Sequence, residues 1–293
     1  MSDIASSSSS AADVTFPAYE TPRAVAGSTL ASVVLCENPS AMTMEGTNSV
    51  ILRAPGSRTS VVIDPGPSDA AHAEALARAA GEVELVLVTH RHGDHTDGID
   101  GFAALAPAPV RAALPEHCRG GETLDDGEVI RAAGLHIGVL ATPGHTADSV
   151  SFVVAADSPG VGSGVGEGEG ADCIVLGDTI LGRDSTVLDA TDGSLASYLD
   201  SLEGIRGVAG DRALPGVPGH GPDIADTAAA ATGLAEHRQA RLQQVRDAVA
   251  ELGPDASAEE LTRHIYTEVT DSTLLAAAEQ STRVALGYIA ERG

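Results

Sequence analysis

The 293-residue chain contains no lysine and no tryptophan, and it has only three cysteines. The absence of lysine excludes a lysine nucleophile or Schiff base. The cysteines form no CxxC pair, which argues against a disulfide scaffold and indicates a reducing compartment; they are Cys36, Cys118 and Cys173. Aromatic residues make up 2% of the chain while hydrophobic residues make up 43%. We therefore expect a sizeable core built from Ala, Val, Leu and Ile.

Long apolar runs are also missing. No stretch approaches 18 uninterrupted apolar residues, so no membrane-spanning helix is predicted. The N-terminus lacks the basic and apolar regions of a signal peptide, and we expect a cytoplasmic protein. Residues 1–15, with a run of five serines, are predicted to form a disordered tail.

Positive charge is scarce, with 17 basic against 42 acidic residues and a net charge of −25. GC-rich coding and a high-salt cytoplasm both account for this composition, and the sequence does not separate them. The negative field repels polyanions, and nucleic-acid binding draws much of its affinity from neutralised phosphates. We therefore expect a small-molecule substrate and disfavour a nucleic-acid partner.

Four potential metal ligands follow an apolar run at residues 85–88 that is typical of a buried strand; they are His90, His92, Asp94 and His95. Neutral imidazole and carboxylate are ligands that divalent zinc prefers. The whole chain has only 10 histidines, so chance is a poor explanation for three of them within six positions.

Three further potential ligands stand at the ends of strand-like runs, each beside glycine. They are His145 in the segment 142–146, Asp178 in 176–179 and His220 in 218–221. Glycine lets the backbone turn sharply and leaves room for a ligand. A single such residue suits an ordinary turn, whereas the joint pattern predicts one metal site.

Read in order, THRHGDH at 89–95, PGHT at 143–146, GD at 177–178 and PGHG at 218–221 resemble the metallo-beta-lactamase superfamily. EGTNS at 45–49, IDPG at 63–66 and HRQAR at 237–241 are similar to the beta-lactamase-like protein 2 subfamily, which is related to glyoxalase II. The resemblance covers roughly residues 28 to 290. It implies an α/β fold, a four-layer αββα sandwich of two mixed sheets with helices outside, followed by a small winged-helix-like C-terminal domain.

The resemblance also implies a ligand set. One metal would be held by His90, His92 and His145, and the second by Asp94, His95 and His220, with Asp178 bridging the two. The implied cofactor is two Zn²⁺ ions per chain, although the same ligands accept manganese or iron.

The implied function is a binuclear zinc-dependent hydrolase in which a metal-bound hydroxide attacks a small thioester or ester. Asp94 is the candidate catalytic residue, because it can orient the nucleophile or receive its proton. None of the cysteines lies where zinc beta-lactamases carry a cysteine ligand, so antibiotic hydrolysis is not the expected task. Two alternatives stay open: a metal-dependent endoribonuclease acting on single-stranded RNA, and an iron-dependent persulfide dioxygenase, which shares the HxHxDH spacing.

Asp64 and Thr89 are candidate supporting residues for the ligating imidazoles. A metal-bound imidazole usually donates its other N–H to a carboxylate or carbonyl. Asp64 follows the apolar run 61–63, and we expect it to be such an acceptor.

The chain divides into the tail, a metallo-beta-lactamase domain at 16–225 and a helical module at 226–293, where a homodimer surface is one interpretation. The module has 11 acidic and 6 basic residues, which is unlike a DNA-gripping winged helix. Arg238 and Arg241 share one helix face. They are either substrate-binding residues for a carboxylate or phosphate, or a salt-bridged surface near Glu236 and Asp247.

Overall fold

The computed structural model describes residues 22–157, 168 and 170–292. The predicted tail at 1–15 lies outside these described residues. So does most of the Gly- and Glu-rich stretch at 158–171, for which the sequence predicts a long hairpin loop.

The first sheet contains six strands in the order β1-β2-β3-β4-β5-β6. They are β1 (Arg23–Ala24), β2 (Ala31–Cys36), β3 (Thr47–Leu52), β4 (Thr59–Ile63), β5 (Glu82–Leu87) and β6 (Val110–Arg111). Strands β1 to β4 pair antiparallel, while β4, β5 and β6 pair parallel. The sheet is therefore mixed, as predicted.

The second sheet contains five strands in the order β11-β10-β9-β8-β7. They are β7 (Val129–Ala132), β8 (Leu135–Ala141), β9 (Val150–Ala156), β10 (Cys173–Gly177) and β11 (Gly216–Pro218). Only the β10–β11 pair is parallel, so this sheet is mixed as well.

Alternate residues of the central strands face opposite sides of each sheet, as the two-residue period of a strand requires. In β5, Leu85 and Leu87 face the core between the sheets, whereas Val86 faces an outer core. In β9, Phe152 joins the inner core and Val153 joins the outer core on the other side of the molecule. Strands buried on both faces explain why these segments read as continuous apolar runs.

Helices cover both outer faces. They are α1 (Ala70–Ala80), α2 (Gly93–Thr96), α3 (Ile99–Leu105), α4 (Leu195–Ala209), α5 (Thr227–Leu252), α6 (Ala258–Ile265) and α7 (Ser272–Arg292). Helices α1 and α3 pack on the first sheet, and α4, α5 and α7 pack on the second. The predicted αββα architecture is confirmed.

Capping side chains set the helix boundaries. Asp69 begins α1 by accepting from the His72 amide, and Ser194 begins α4 by accepting from the Ser197 amide. The helical spacing of apolar residues such as Leu195, Leu202 and Ile205 predicts a helix over 192–206, and α4 begins three residues later than that prediction. The sequence predicts a helix from about 224 to 252 and allows a break near Gly233, but α5 runs unbroken from its Asp226 cap to Leu252.

The capping-box pattern of Ser257 with Glu260 and the position of Asp271 predict the starts of the last two helices, and both caps are present. Ser257 and Glu260 form both bonds of a capping box at the start of α6, and Asp271 accepts from two amides at the start of α7. No strand lies among the described residues from 226 to 292, so the winged-helix detail is not confirmed. None of the helices in the described part of the chain is long and apolar enough to cross a membrane.

Candidate metal centre

The strand ends bring the predicted ligands to one edge of the sandwich. Strands β4 and β5 are parallel, so Asp64 and the segment 89–95 leave the first sheet at the same end. Strands β10 and β11 are also parallel, which puts Asp178 beside His220. His145 lies in the turn between β8 and β9.

Three imidazoles form the first group. His92 Nδ1 lies 3.1 Å from His90 Nε2 and 3.0 Å from His145 Nε2. The ring centroids of each pair are 4.8–4.9 Å apart. His90 and His145 are buried, whereas the His92 side chain is 29% exposed. The group can hold one cation and is open to solvent on the His92 side.

Two imidazoles and a carboxylate form the second group. Asp94 Oδ2 lies 3.1 Å from His220 Nε2 and 3.5 Å from His95 Nε2. Both histidines are buried, and the Asp94 side chain is 27% exposed. This donor set can also hold a metal ion.

Asp178 lies between the two groups. Its Oδ2 is 3.3 Å from His220 Nε2 and 3.8 Å from His145 Nε2, and its Oδ1 is 3.5 Å from His95 Nε2. Gly219 permits this approach, because a Cβ at that position would stand 2.3 Å from Asp178 Oδ1.

The outer nitrogen of each imidazole faces an acceptor. His145 Nδ1 is 2.6 Å from the Val187 carbonyl, and His220 Nδ1 is 2.9 Å from the Gly46 carbonyl. His92 Nε2 is 3.1 Å from Asp189 Oδ2. A proton held on the outer nitrogen leaves the inner nitrogen with a free lone pair, as a metal ligand requires.

Asp64 and Thr89 complete this pattern for the other two histidines. Asp64 Oδ2 lies 2.8 Å from His95 Nδ1 and accepts from the Thr89 hydroxyl at 2.7 Å, while Oδ1 accepts from the Thr89 amide at 2.8 Å. Since the Thr89 proton goes to Asp64, the Thr89 oxygen accepts from His90 Nδ1 at 3.0 Å. The structure thus brings both predicted supporting residues against ligand candidates.

Two buried atoms of the cluster have no hydrogen-bond partner among the described residues, His95 Nε2 and Asp178 Oδ1. Buried polar atoms are rarely left unpaired unless an ion or water completes them. These unpartnered ligand atoms, together with the aligned lone pairs, fit a bound metal.

The pKa directions differ among the ligand candidates. Burial lowers the pKa values of His90 and His145. Burial also opposes protonation of His220, but contact with Asp178 and Asp94 outweighs it and raises the pKa to about 10. Burial favours a neutral Asp178, yet the neighbouring imidazoles of His220 and His95 hold its pKa well below the ordinary range.

Arg238 and Arg241 do not form the predicted surface salt bridges. Arg238 is 6% exposed, donates through Nη2 to the Thr186 carbonyl, and lies 5.2 Å from the centre of the Tyr198 ring. Arg241 donates to Gln244 Oε1 and lies over the Tyr266 ring. Substrate contact by either arginine stays a prediction, and the burial of Arg238 leaves it little surface for that role.

Sequence reasoning missed the segment 186–189, which touches His145 and His92. It also missed Arg91, whose guanidinium lies 3.0 Å from Asp189 and 2.9 Å from Asp192. The segment 186–189 belongs to no helix or strand and has no motif. The polar composition of residues 189–193 was the only signal in the sequence that this region could contact the site.

The family model described as "Metallo-beta-lactamase superfamily" matches residues 42–217. The chain belongs to this superfamily. Proteins named as a thioesterase and as lactamase-like proteins are among the relatives that it resembles.

Two relatives illustrate the range of the superfamily around this chain. An "Atrochrysone carboxyl ACP thioesterase" from Aspergillus chevalieri is 30% identical over 75% of this chain, which spans 64% of that protein's length. A "Beta-lactamase-like protein 2 homolog" from Caenorhabditis elegans is 27% identical over 83% of this chain and 79% of its own length.

Solved structures of superfamily members share the fold. A beta-lactamase domain protein from Burkholderia ambifaria superposes with a TM-score of 0.71 at 20% identity, covering 95% of this chain and 91% of its own. A metallo-beta-lactamase family protein from Thermus thermophilus gives a TM-score of 0.66 at 22% identity, covering 90% of this chain and 94% of its own.

Proposed function

We propose that this superfamily member is a binuclear zinc-dependent hydrolase that acts on a small thioester or ester. The observation that supports it most directly is the pair of donor groups sharing Asp178. His90, His92 and His145 would hold one ion, and Asp94, His95 and His220 the other. The thioesterase relative makes a thioester the first substrate class to test.

When bound, the two ions would lower the pKa of a coordinated water to about 7 and draw negative charge from the carbonyl oxygen of the substrate. Asp94 is the chain's own candidate for orienting that water or receiving its proton. It is the more exposed carboxylate of the cluster, with a side chain 27% exposed against 9% for Asp178. The substrate would approach from the open side, past His92 and Asp94.

Direct water attack needs no nucleophilic side chain from the protein. The chain has no lysine. Burial raises the pKa of the Cys36 and Cys173 thiols to about 12, so neither offers a thiolate at neutral pH.

The test combines metal analysis with two assays. We expect about two zinc ions per purified chain, hydrolysis of an S-acyl thiol ester, and no cleavage of a labelled single-stranded RNA. One iron per chain with persulfide oxidation, or RNA cleavage without esterase activity, would overturn the proposal.

Two variants test the site itself. His90→Ala and Asp178→Ala should each lower metal content and reduce kcat/KM by roughly a hundredfold or more, since metal stabilisation of the reaction is worth several kcal/mol. His264→Ala changes an exposed histidine of α6 outside both groups and serves as the control. A metal-free variant that keeps its activity would refute the assignment.

A further inference from the structure

The segment 186–189 supports the first group of imidazoles from outside. Thr186 Oγ1 and the Val187 carbonyl lie 3.0 and 2.6 Å from His145 Nδ1, and Asp189 Oδ2 lies 3.1 Å from His92 Nε2. The Asp189 amide also donates to the His145 carbonyl at 2.8 Å. Two of the three imidazoles in this group thus depend on one segment for their orientation.

No helix or strand includes this segment, so its position depends on contacts with other parts of the chain. Arg91 pairs with Asp189 at 3.0 Å, and two side chains from the C-terminal helices hold the residues before it. Arg238 of α5 donates to the Thr186 carbonyl, and Gln280 of α7 donates to the Leu188 carbonyl at 3.4 Å.

Burial of the Arg238 guanidinium costs desolvation free energy. The residue is 6% exposed, its Nε has no partner, and no carboxylate of the described residues lies within ion-pair distance of it. A buried charge without an ion-pair partner destabilises a fold. Arg238 contacts the Thr186 carbonyl and the Tyr198 side chain, and the Tyr198 hydroxyl in turn donates to the Thr179 carbonyl, next to Asp178.

We propose that Arg238 is a positioning residue through which the C-terminal helices orient the His90–His92–His145 half of the metal site. It acts by fixing the segment 186–189, and it touches neither metal nor substrate. This inference rests on the proposed binuclear site.

The contacts make the effect selective. The outer nitrogens of His95 and His220 are held by Asp64 and by the Gly46 carbonyl, and neither acceptor belongs to the segment 186–189. Loss of the Arg238 contact should therefore weaken one of two metal-binding steps and spare the other. A merely structural role would lower thermal stability without separating the two steps.

The experiment is a zinc titration of the full-length apoprotein against a competing chelator, well below the unfolding temperature. In Arg238→Met we expect one binding step to weaken by about tenfold, the lower end of the range for residues supporting metal ligands. Arg238→Lys, which keeps a donor, should recover part of the loss. Arg246→Met, at an exposed position of the same helix, should match the unsubstituted chain.

If both steps are unchanged in Arg238→Met, or if both weaken equally, the inference is overturned. Should this variant fail to fold, Gln280→Leu removes the other contact to the segment and carries the same expectation. An unsubstituted chain that takes up no metal would overturn the proposed function, whereas two normal steps in the folded variants would overturn only the role of Arg238.

Discussion

Asp64→Asn tests whether the hydrogen bonds to the outer nitrogens of the ligand candidates affect metal binding, because it leaves all seven ligand candidates in place. Asp64 is 2% exposed and accepts three hydrogen bonds, from the Thr89 amide, the Thr89 hydroxyl and His95. Asparagine has the same shape and tolerates the positive φ of 55° at this position. The substitution therefore changes the chemistry of the contacts with little change of volume.

The asparagine side chain of the variant has one oxygen that accepts hydrogen bonds, and its other terminal group is an NH₂ that only donates. If its oxygen keeps the Thr89 amide, its NH₂ group meets the N–H of His95, and two donors face each other. His95 can relieve this only by moving its proton to Nε2, which removes the lone pair that points at the second metal. A hydrogen bond to a charged group contributes about 1.5–3 kcal/mol, and loss of such support typically lowers metal affinity by about 10–100-fold.

The assay is a zinc titration with a competing chelator, together with thermal unfolding of the apoprotein. The step assigned to His95 should weaken most, and the other step should weaken less, because His90 reaches Asp64 only through Thr89. Asp157→Asn is the matched control, since Asp157 pairs with His136 at 3.1 Å outside the site. Two zinc ions bound by Asp64→Asn with unchanged affinity would refute the argument that the outer hydrogen bonds fix the lone pairs.

Four further substitutions test local contacts of the fold. Gly144→Ala should destabilise the chain and lower its metal content, because the backbone has a φ of 143° and a Cβ would stand 2.4 Å from Tyr198 Cα. Its control is Gly101→Ala, which lies in open space within α3 and should stabilise the chain by about 0.5–1 kcal/mol. Equal thermal midpoints for the two variants would contradict this prediction. Tyr198→Phe strands the Thr179 carbonyl and should cost about 1–3 kcal/mol in denaturant unfolding, so an unchanged midpoint would count against the bond. Ser257→Ala removes a capping box and should cost about 0.5–2 kcal/mol, a loss that the same measurement would detect.

The seven ligand candidates could be predicted because each belongs to a short motif at the end of a strand. Because paired parallel strands end at the same edge of a sheet, the motifs that follow them come together there. The register that pairs Ile63 with Leu87 and Gly177 with Pro218 brings the following residues to one edge of the sandwich. Asp64 could be predicted for the same reason, since it follows β4 directly. Helix starts are harder to predict to the residue, because Asp69, Ser194 and Asp226 set them through single side-chain bonds.

The residues that hydrogen-bond to His92 and His145 could not be predicted in this way. Thr186, Val187 and Asp189 reach the imidazoles from a segment with no periodic pattern, and half of their contacts use backbone atoms that the residue type does not reveal. Arg238 was visible as an arginine on a helix, where solvent exposure is the ordinary expectation. Only the packing of α5 against α4 shows that it is buried beneath that segment. A histidine motif thus identifies which atoms can bind a metal. The orientation of those imidazole rings is fixed by tertiary contacts between distant parts of the chain.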